Sequence, residues 1–532
     1  MVGACPGIVK LARMTAELTE KQPNMGSTPL PPVKKAGVLL HIASLAGPYG
    51  IGDIGDSAVA FVDKLTRMKI AVWQFLPVGP TAYGDSPYQP LSAFAGNEML
   101  IGIEPLIREG LLTADEAGVL RDLPHASVDY GKLIPLKTGL LAQAASRFSA
   151  KASTELKTAF EAFLRLHDSH WLADYADYRI LKTRHGERPW PEWESPFARR
   201  EPAAMQKLRD SNRDAIEHIK IIQFLFDRQW QTLKRYANQN GVLLFGDMPI
   251  YIALDSADAW AHPEMLLVDR NGTPSHVAGV PPDYFSADGQ LWGNPLYDWQ
   301  FHESDGYRWW IQRMRYAARQ TDLVRVDHFR GFESFWAVRF GAETAREGEW
   351  LSGPGDGLFD AMKTALGSLP IVAEDLGIIT PEVDRLRERH QLPGMKVLQF
   401  LVGDPAFNFD DMVENCVCYT GTHDNDTTVG WCNGSDQDIR SAQEIFATRQ
   451  SALRASGGSE VTIHTDMIRL AFRSNARLAV VPMQDFLGLG SEARLNTPGT
   501  TWNNWRWRML EEQLSPAFCE SVANLVQEAS RA

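Results

Sequence analysis

Cysteine is scarce in this chain, with five among 532 residues at Cys5, Cys416, Cys418, Cys432 and Cys519. An odd, thin set does not make a disulfide framework, and it favours a reducing compartment. Cys416-Val-Cys418 lacks a zinc spacing and has no second Cys/His cluster beside it, so both read as small core residues. Long apolar runs are missing too, since none reaches the about 18 residues that a bilayer crossing needs. The stretch MVGACPGIVKLARMTAELTEKQ is too weakly apolar for a signal peptide and turns acidic early. The cytoplasm is the expected location, or the plastid if the source is a plant or alga. Positive charge is in short supply, because 53 Lys and Arg face 66 Asp and Glu for a net −13. Nucleic acid and anionic membranes would require the opposite sign, so neither is expected as a partner. No internal repeat or low-complexity tract stands out.

What is present is an ordinary globular composition, 44% apolar and 22% charged, with 16 Trp whose flat faces suit sugar rings. Residues 1–35 end in STPLPPVKK and read as a flexible tail. Apolar runs with strand character follow at 37–45, 71–78, 241–250, 322–329, 369–377, 394–402, 415–423 and 476–484, with helical patterns between them. One of those helices opens at Thr380-Pro381-Glu382, a cap followed by Pro at the first position. Eight buried strands alternating with helices predict an α/β fold, a (β/α)8 TIM barrel over residues 36–532. Two intervals are too long for simple crossovers. Residues 97–235 read as a helical insertion, and residues 251–320 as one rich in Gly, Pro and aromatics. Insertions after barrel strands build walls around a site at the C-terminal rim.

Gly50-Ile-Gly52-Asp-Ile-Gly55 is formally the dinucleotide fingerprint. Ala46-Gly-Pro-Tyr49 separates it from the preceding strand, where a nucleotide turn would be tight. The next strand also lacks the acidic residue that holds a ribose. The reading left is a loop of flexible glycines.

Polar residues carry the stronger signal. In VRVDHFRGF (324–332), Arg325 and Asp327 alternate with buried valines, which is costly unless each charge is paired. Asp247 ends the third strand run, Glu374 the fifth, and His423 and Asp424 the seventh. All fall on the face where barrels place their chemistry. Four carboxylates on one rim would repel one another as caps, and they suit proton work or positive charge. Glycoside chemistry uses such a set as nucleophile, acid and ring-holding groups. Arg325, two residues before Asp327, points to the same side and gives it a permanent counter-ion. Asp327 is therefore the expected nucleophile. Glu374 is the expected acid, with a pKa raised by the neighbouring carboxylates.

The stretches GDMPIYI, VRVDHFRGF, VAEDLG and TGTHDN resemble the four sequence regions of the alpha-amylase clan. With GDSPYQPLSAFAGN, GVPPDYFSADGQLWGNPLY and LGSEARLNTPGTTWNNWRWR, the chain resembles the 4-alpha-glucanotransferases (amylomaltase or disproportionating enzymes, glycoside hydrolase family 77) from about residue 36 to 510. That resemblance implies Asp327 as nucleophile, Glu374 as acid/base and Asp424 as transition-state stabiliser. It also implies a barrel without a C-terminal β-domain, and no cofactor or metal. Tyr88 is the sugar-stacking residue it suggests, with Tyr284, Phe285 and Trp292 as acceptor-side aromatics. Asp247, Gln290, Asn294, Arg325, His328, His423 and Asn496 complete the expected substrate-binding set. Maltooligosaccharides, amylose or starch, and glycogen are the implied glucans, with glucose as an acceptor and the protein a monomer or homodimer. An α-1,4-glucan hydrolase of the amylase type is the alternative.

Overall fold

The eight apolar runs are the eight strands of one parallel sheet. In chain order they are β1 (Lys35–Leu39), β2 (Val72–Gln74), β3 (Leu243–Met248), β4 (Leu323–Val326), β5 (Ile371–Ala373), β6 (Gly394–Val397), β7 (Cys416–Tyr419) and β8 (Leu478–Pro482). The computed structural model describes residues 29–532 except 82, 283–287, 405–406, 436–437, 439 and 501. The strands pair in chain order from β1 to β5 and from β6 to β8, and β8 returns to β1. Between β5 and β6 the ladder thins to one bond, from the Ala373 N–H to the Pro393 carbonyl at 2.8 Å. The result is a nearly closed (β/α)8 barrel. Both strand faces are buried, which is why the runs are almost continuously apolar. Phe245, Leu323, Val372, Val417 and Leu478 share the interior. Residues between them on the strands, such as Leu244 and Val324, pack outward against the helices.

The expected insertions hold two kinds of structure. Residues 97–235 are helical, and Arg213–Gln239 forms a 27-residue helix leading into β3. The later segment contributes His276–Val280 and Gln290–Pro295 to a four-stranded antiparallel sheet. Ser334–Arg339 and Glu349–Ser352, beyond residue 320, complete that sheet. After β8 the described residues contain helices and turns but no further strand.

The glycine loop is not the flexible segment the sequence suggests. A Cβ on Gly52 would lie 2.0 Å from the Ile42 carbonyl oxygen, and one on Gly55 would lie 3.0 Å from the Gly102 Cα. The helix Asp56–Arg67 begins there, and Asp53 already occupies its start by accepting the Gly55 N–H at 2.9 Å. A pyrophosphate would meet a carboxylate where it needs free amides.

At the opposite face of the barrel from the strand C-termini, buried Arg531 donates to the carbonyls of Phe472 (2.6 Å), Lys35 (3.2 Å) and Ser474 (2.8 Å), tying β1 to the approach of β8. Arg531→Met keeps the stem but strands those acceptors, so unfolding by urea should show a loss of about 2–4 kcal/mol. Activity per folded molecule should stay unchanged. Coincident urea midpoints for the two proteins would remove this role.

Candidate active site

The barrel mouth is built on one guanidinium. Asp247 on β3 lies in register with Arg325 on β4, so both side chains point inward. Arg325 Nη1 donates to Asp247 Oδ2 and Nη2 to Asp327 Oδ1, each at 2.7 Å. A planar fork can serve two carboxylates at once in this way. The partners differ in access, because the Asp247 side chain is 0% exposed and that of Asp327 30%. Asp247 also accepts the Tyr88 hydroxyl at 2.8 Å. Asp247 therefore anchors the cation and Asp327 presents a free oxygen to the cleft.

Glu374 is the first residue after β5, and its N–H bonds the Val326 carbonyl. Its two oxygens accept the backbone N–H groups of His328 (2.7 Å) and Leu376 (2.8 Å). His328 reaches this position through a left-handed backbone (φ 51°), strain of a kind that collects at functional sites. Burial pushes the Glu374 carboxyl up to about 7, and Asp327 adds to the rise. Arg325 and the two backbone amides oppose it. Burial is thus the leading cause, ahead of the neighbouring carboxylate expected to dominate.

Asp424 shows the opposite electrostatics. Burial alone would raise its pKa, yet His423, Asn496 and Arg325 together hold it well below the usual carboxylate range. Asn496 Nδ2 donates to Oδ1 at 2.6 Å, and His423 Nε2 lies 3.2 Å from Oδ2. The mouth therefore contains a carboxyl poised to hold a proton and another held as an anion.

The aromatic positions divide. The Tyr88 ring stacks on His423 (5.1 Å, 14°), which occupies one of its faces. Trp292 meets the His328 ring edge-on at 4.8 Å and donates to Gln290 Oε1 at 3.1 Å. Asn294 is used for support, donating to the Ile252 carbonyl and accepting from Gln89. Tyr284 and Phe285 lie outside the described residues. Among the described residues no group of three His, Cys, Asp or Glu side chains is placed to hold a metal ion.

Two contributors went unassigned in the sequence reading. Arg494 donates to the Asp424 carbonyl (2.8 Å) and to that of Asn496 (2.8 Å), and Trp505 lies against both Tyr88 and His423. Both belong to the motif LGSEARLNTPGTTWNNWRWR, where the two-residue spacing of Arg494 and Asn496 was the available signal.

Comparison with known proteins follows the same line. A family model described as 4-alpha-glucanotransferase matches residues 40–513. A 4-alpha-glucanotransferase of Streptococcus pneumoniae is 45% identical over 503 residues, covering 92% of this chain and 96% of that protein. One from Thermus thermophilus is 45% identical over 493 residues, covering 90% and 95%. Among solved structures, the amylomaltase from Streptococcus agalactiae in complex with acarbose superposes with a TM-score of 0.88. It is 34% identical and covers 94% of this chain and 100% of that one.

Proposed function

Because this chain belongs to the 4-alpha-glucanotransferase family and moves α-1,4-glucan segments between maltooligosaccharides, we propose that Asp327, Glu374 and Asp424 divide the chemistry among them. The supporting observation is the shared Arg325 fork, which buries Asp247 and leaves Asp327 open beside a Glu374 disposed to carry a proton. Asp327 attacks the anomeric carbon while Glu374 protonates the departing glycosidic oxygen. This forms a glucosyl ester on Asp327 and releases the first product. Glu374, now a base, takes the proton from an acceptor 4-hydroxyl, which displaces Asp327 and restores the α-bond. Asp424, kept anionic, balances the positive charge that develops on the ring in both steps.

Water and sugar compete for the ester. Water stands at roughly 55 M, so transfer wins through alignment, where effective molarities reach about 10⁵ M or more. Trp292, set beside the ring of His328, whose backbone N–H bonds Glu374 and which follows Asp327 in the chain, is the acceptor platform in this reading. Trp292→Ala should lower the transfer-to-hydrolysis ratio roughly tenfold, the equivalent of about 1.4 kcal/mol of lost acceptor binding. Product analysis with maltotriose tests the whole reading. Glucose plus a ladder of longer oligosaccharides, at nearly constant reducing ends, is expected. Shorter sugars alone, with reducing ends rising steadily, would make the protein a hydrolase.

Amylose or starch and glycogen serve as longer donors in this proposal, and glucose as the smallest acceptor. The protein acts as a monomer or homodimer in the cytoplasm. The free, buried state of Cys416, Cys418, Cys432 and Cys519 supports a reducing setting.

A further inference from the structure

The turn that carries His423 and Asp424 runs from residue 421 to 427, between the end of β7 and the helix Thr428–Asn433. Its roots are two threonines, and both are tied to one carboxylate. Thr420 Oγ1 donates to Asp485 Oδ2 at 2.6 Å. The Thr428 N–H donates to Asp485 Oδ1 at 2.7 Å, and Thr428 Oγ1 to Oδ2 at 2.8 Å. All three residues are at most 1% exposed. Asp485 lies in the short helix Met483–Phe486 directly after β8, so the clamp joins the ends of two barrel strands.

The chemistry of the clamp is specific. Only a carboxylate accepts three donors here without offering a proton of its own. Its partners are a backbone amide and two hydroxyls; burial raises the pKa of the Asp485 carboxyl, and the bonds from Thr420 and Thr428, with nearby His464, oppose that rise. Other ties reach the turn or one root: Gln399 donates its N–H to the Thr420 carbonyl (3.2 Å) and Nε2 to the Asp426 carbonyl (2.9 Å), and Ser491 donates to Asp426 Oδ2 (2.6 Å). Among the described contacts, Asp485 alone holds both roots.

We propose that Asp485 is a positioning residue for Asp424, fixing the height and tilt of the 421–427 turn over the barrel mouth. The proposal rests on the reading of Asp424 as transition-state stabiliser. A carboxylate acting on developing charge must be in place before the reaction, because reorganising it during the step forfeits its effect. Loosening either root moves Asp424 without removing it.

The test is a double-mutant cycle on the full chain with maltotriose. Asp485→Ala is expected to lower kcat about 10- to 100-fold, the scale of a small misplacement of catalytic groups, with KM within about threefold of wild type. Asp485→Asn keeps an acceptor for the Thr428 N–H and lets both hydroxyls turn, so its loss should be smaller. In an Asp424→Asn background neither change should cost anything further, which a merely structural role would not produce. If Asp485→Ala does not fold, Thr420→Val cuts one root alone and should show part of the loss with the same dependence on Asp424. A folded Asp485→Ala protein with kcat within twofold of wild type overturns the proposal. So does a loss that persists undiminished beside Asp424→Asn. Should Asp424→Asn alone stay near wild type, the reading of Asp424 fails first and takes this one with it.

Discussion

Asp327→Asn should yield a folded protein that still binds maltooligosaccharides but turns them over at least about 10⁴-fold more slowly, as losing a covalent nucleophile does elsewhere. The fold should survive because Asp247 keeps its own bond to Arg325, so the cation is not left unpaired in the barrel. Binding should survive because Asn496, His423 and Trp292 do not hang on Asp327. Maltosyl fluoride should not rescue the variant. A better leaving group lowers the barrier to departure but cannot supply the missing carboxylate. Kinetics with both substrates, alongside calorimetric maltotriose binding, decide the matter. Turnover within tenfold of wild type would refute the assignment of Asp327 as nucleophile, and lost binding would mean that Asp327 holds the substrate as well.

The barrel was legible because its strands are buried on both faces. A run such as GVLLFGDMPI can be little else once its length and β-branching are weighed. The antiparallel rim sheet was not. Its strand Gln290–Pro295 reads QLWGNP, poor in β-formers, and the sheet is completed by segments some 40 residues further on. Pairing across that distance leaves no local periodicity to read. The carboxylates proposed as catalytic stood out in the sequence because each interrupts or ends an apolar run. Asp485 was hidden, since one Asp in MQDF looks like any strand-end polar residue until Thr420 and Thr428 fold against it. The bonds of Asn294 to Ile252 and Gln89 were not legible either, because they depend on tertiary packing. The same holds for Glu374. Sequence supplies the neighbouring charges but not the burial that outweighs them.

The mouth also carries a stability cost that can be read directly. Glu374 holds its proton up to about 7 when folded, against an ordinary 4.5. Between those values the folded chain binds more protons than the unfolded one, so this group's contribution falls as pH rises through that window. Glu374→Gln removes the titration. The variant should match wild type in thermal stability near pH 4 and exceed it near pH 8. That is the direction expected when a site is built for chemistry rather than for stability.

Function should move the other way. Protonation of the leaving oxygen by Glu374 should be worth about 10²–10⁴ in rate, and Glu374→Gln should lose that much on maltotriose. The wild-type fall of kcat/KM on the alkaline side, above about 7, should vanish with it. Maltosyl fluoride separates the two steps. Fluoride departs without a proton, so Asp327 should still be glycosylated in the variant. The ester should then persist, because no base remains to activate the acceptor hydroxyl. Rapid mixing should show a burst of about one fluoride per active site followed by a slow phase. Mass spectrometry of the quenched protein should find a maltosyl adduct on the peptide containing Asp327. Absence of the burst, together with maltotriose turnover within tenfold of wild type, would remove Glu374 from both steps.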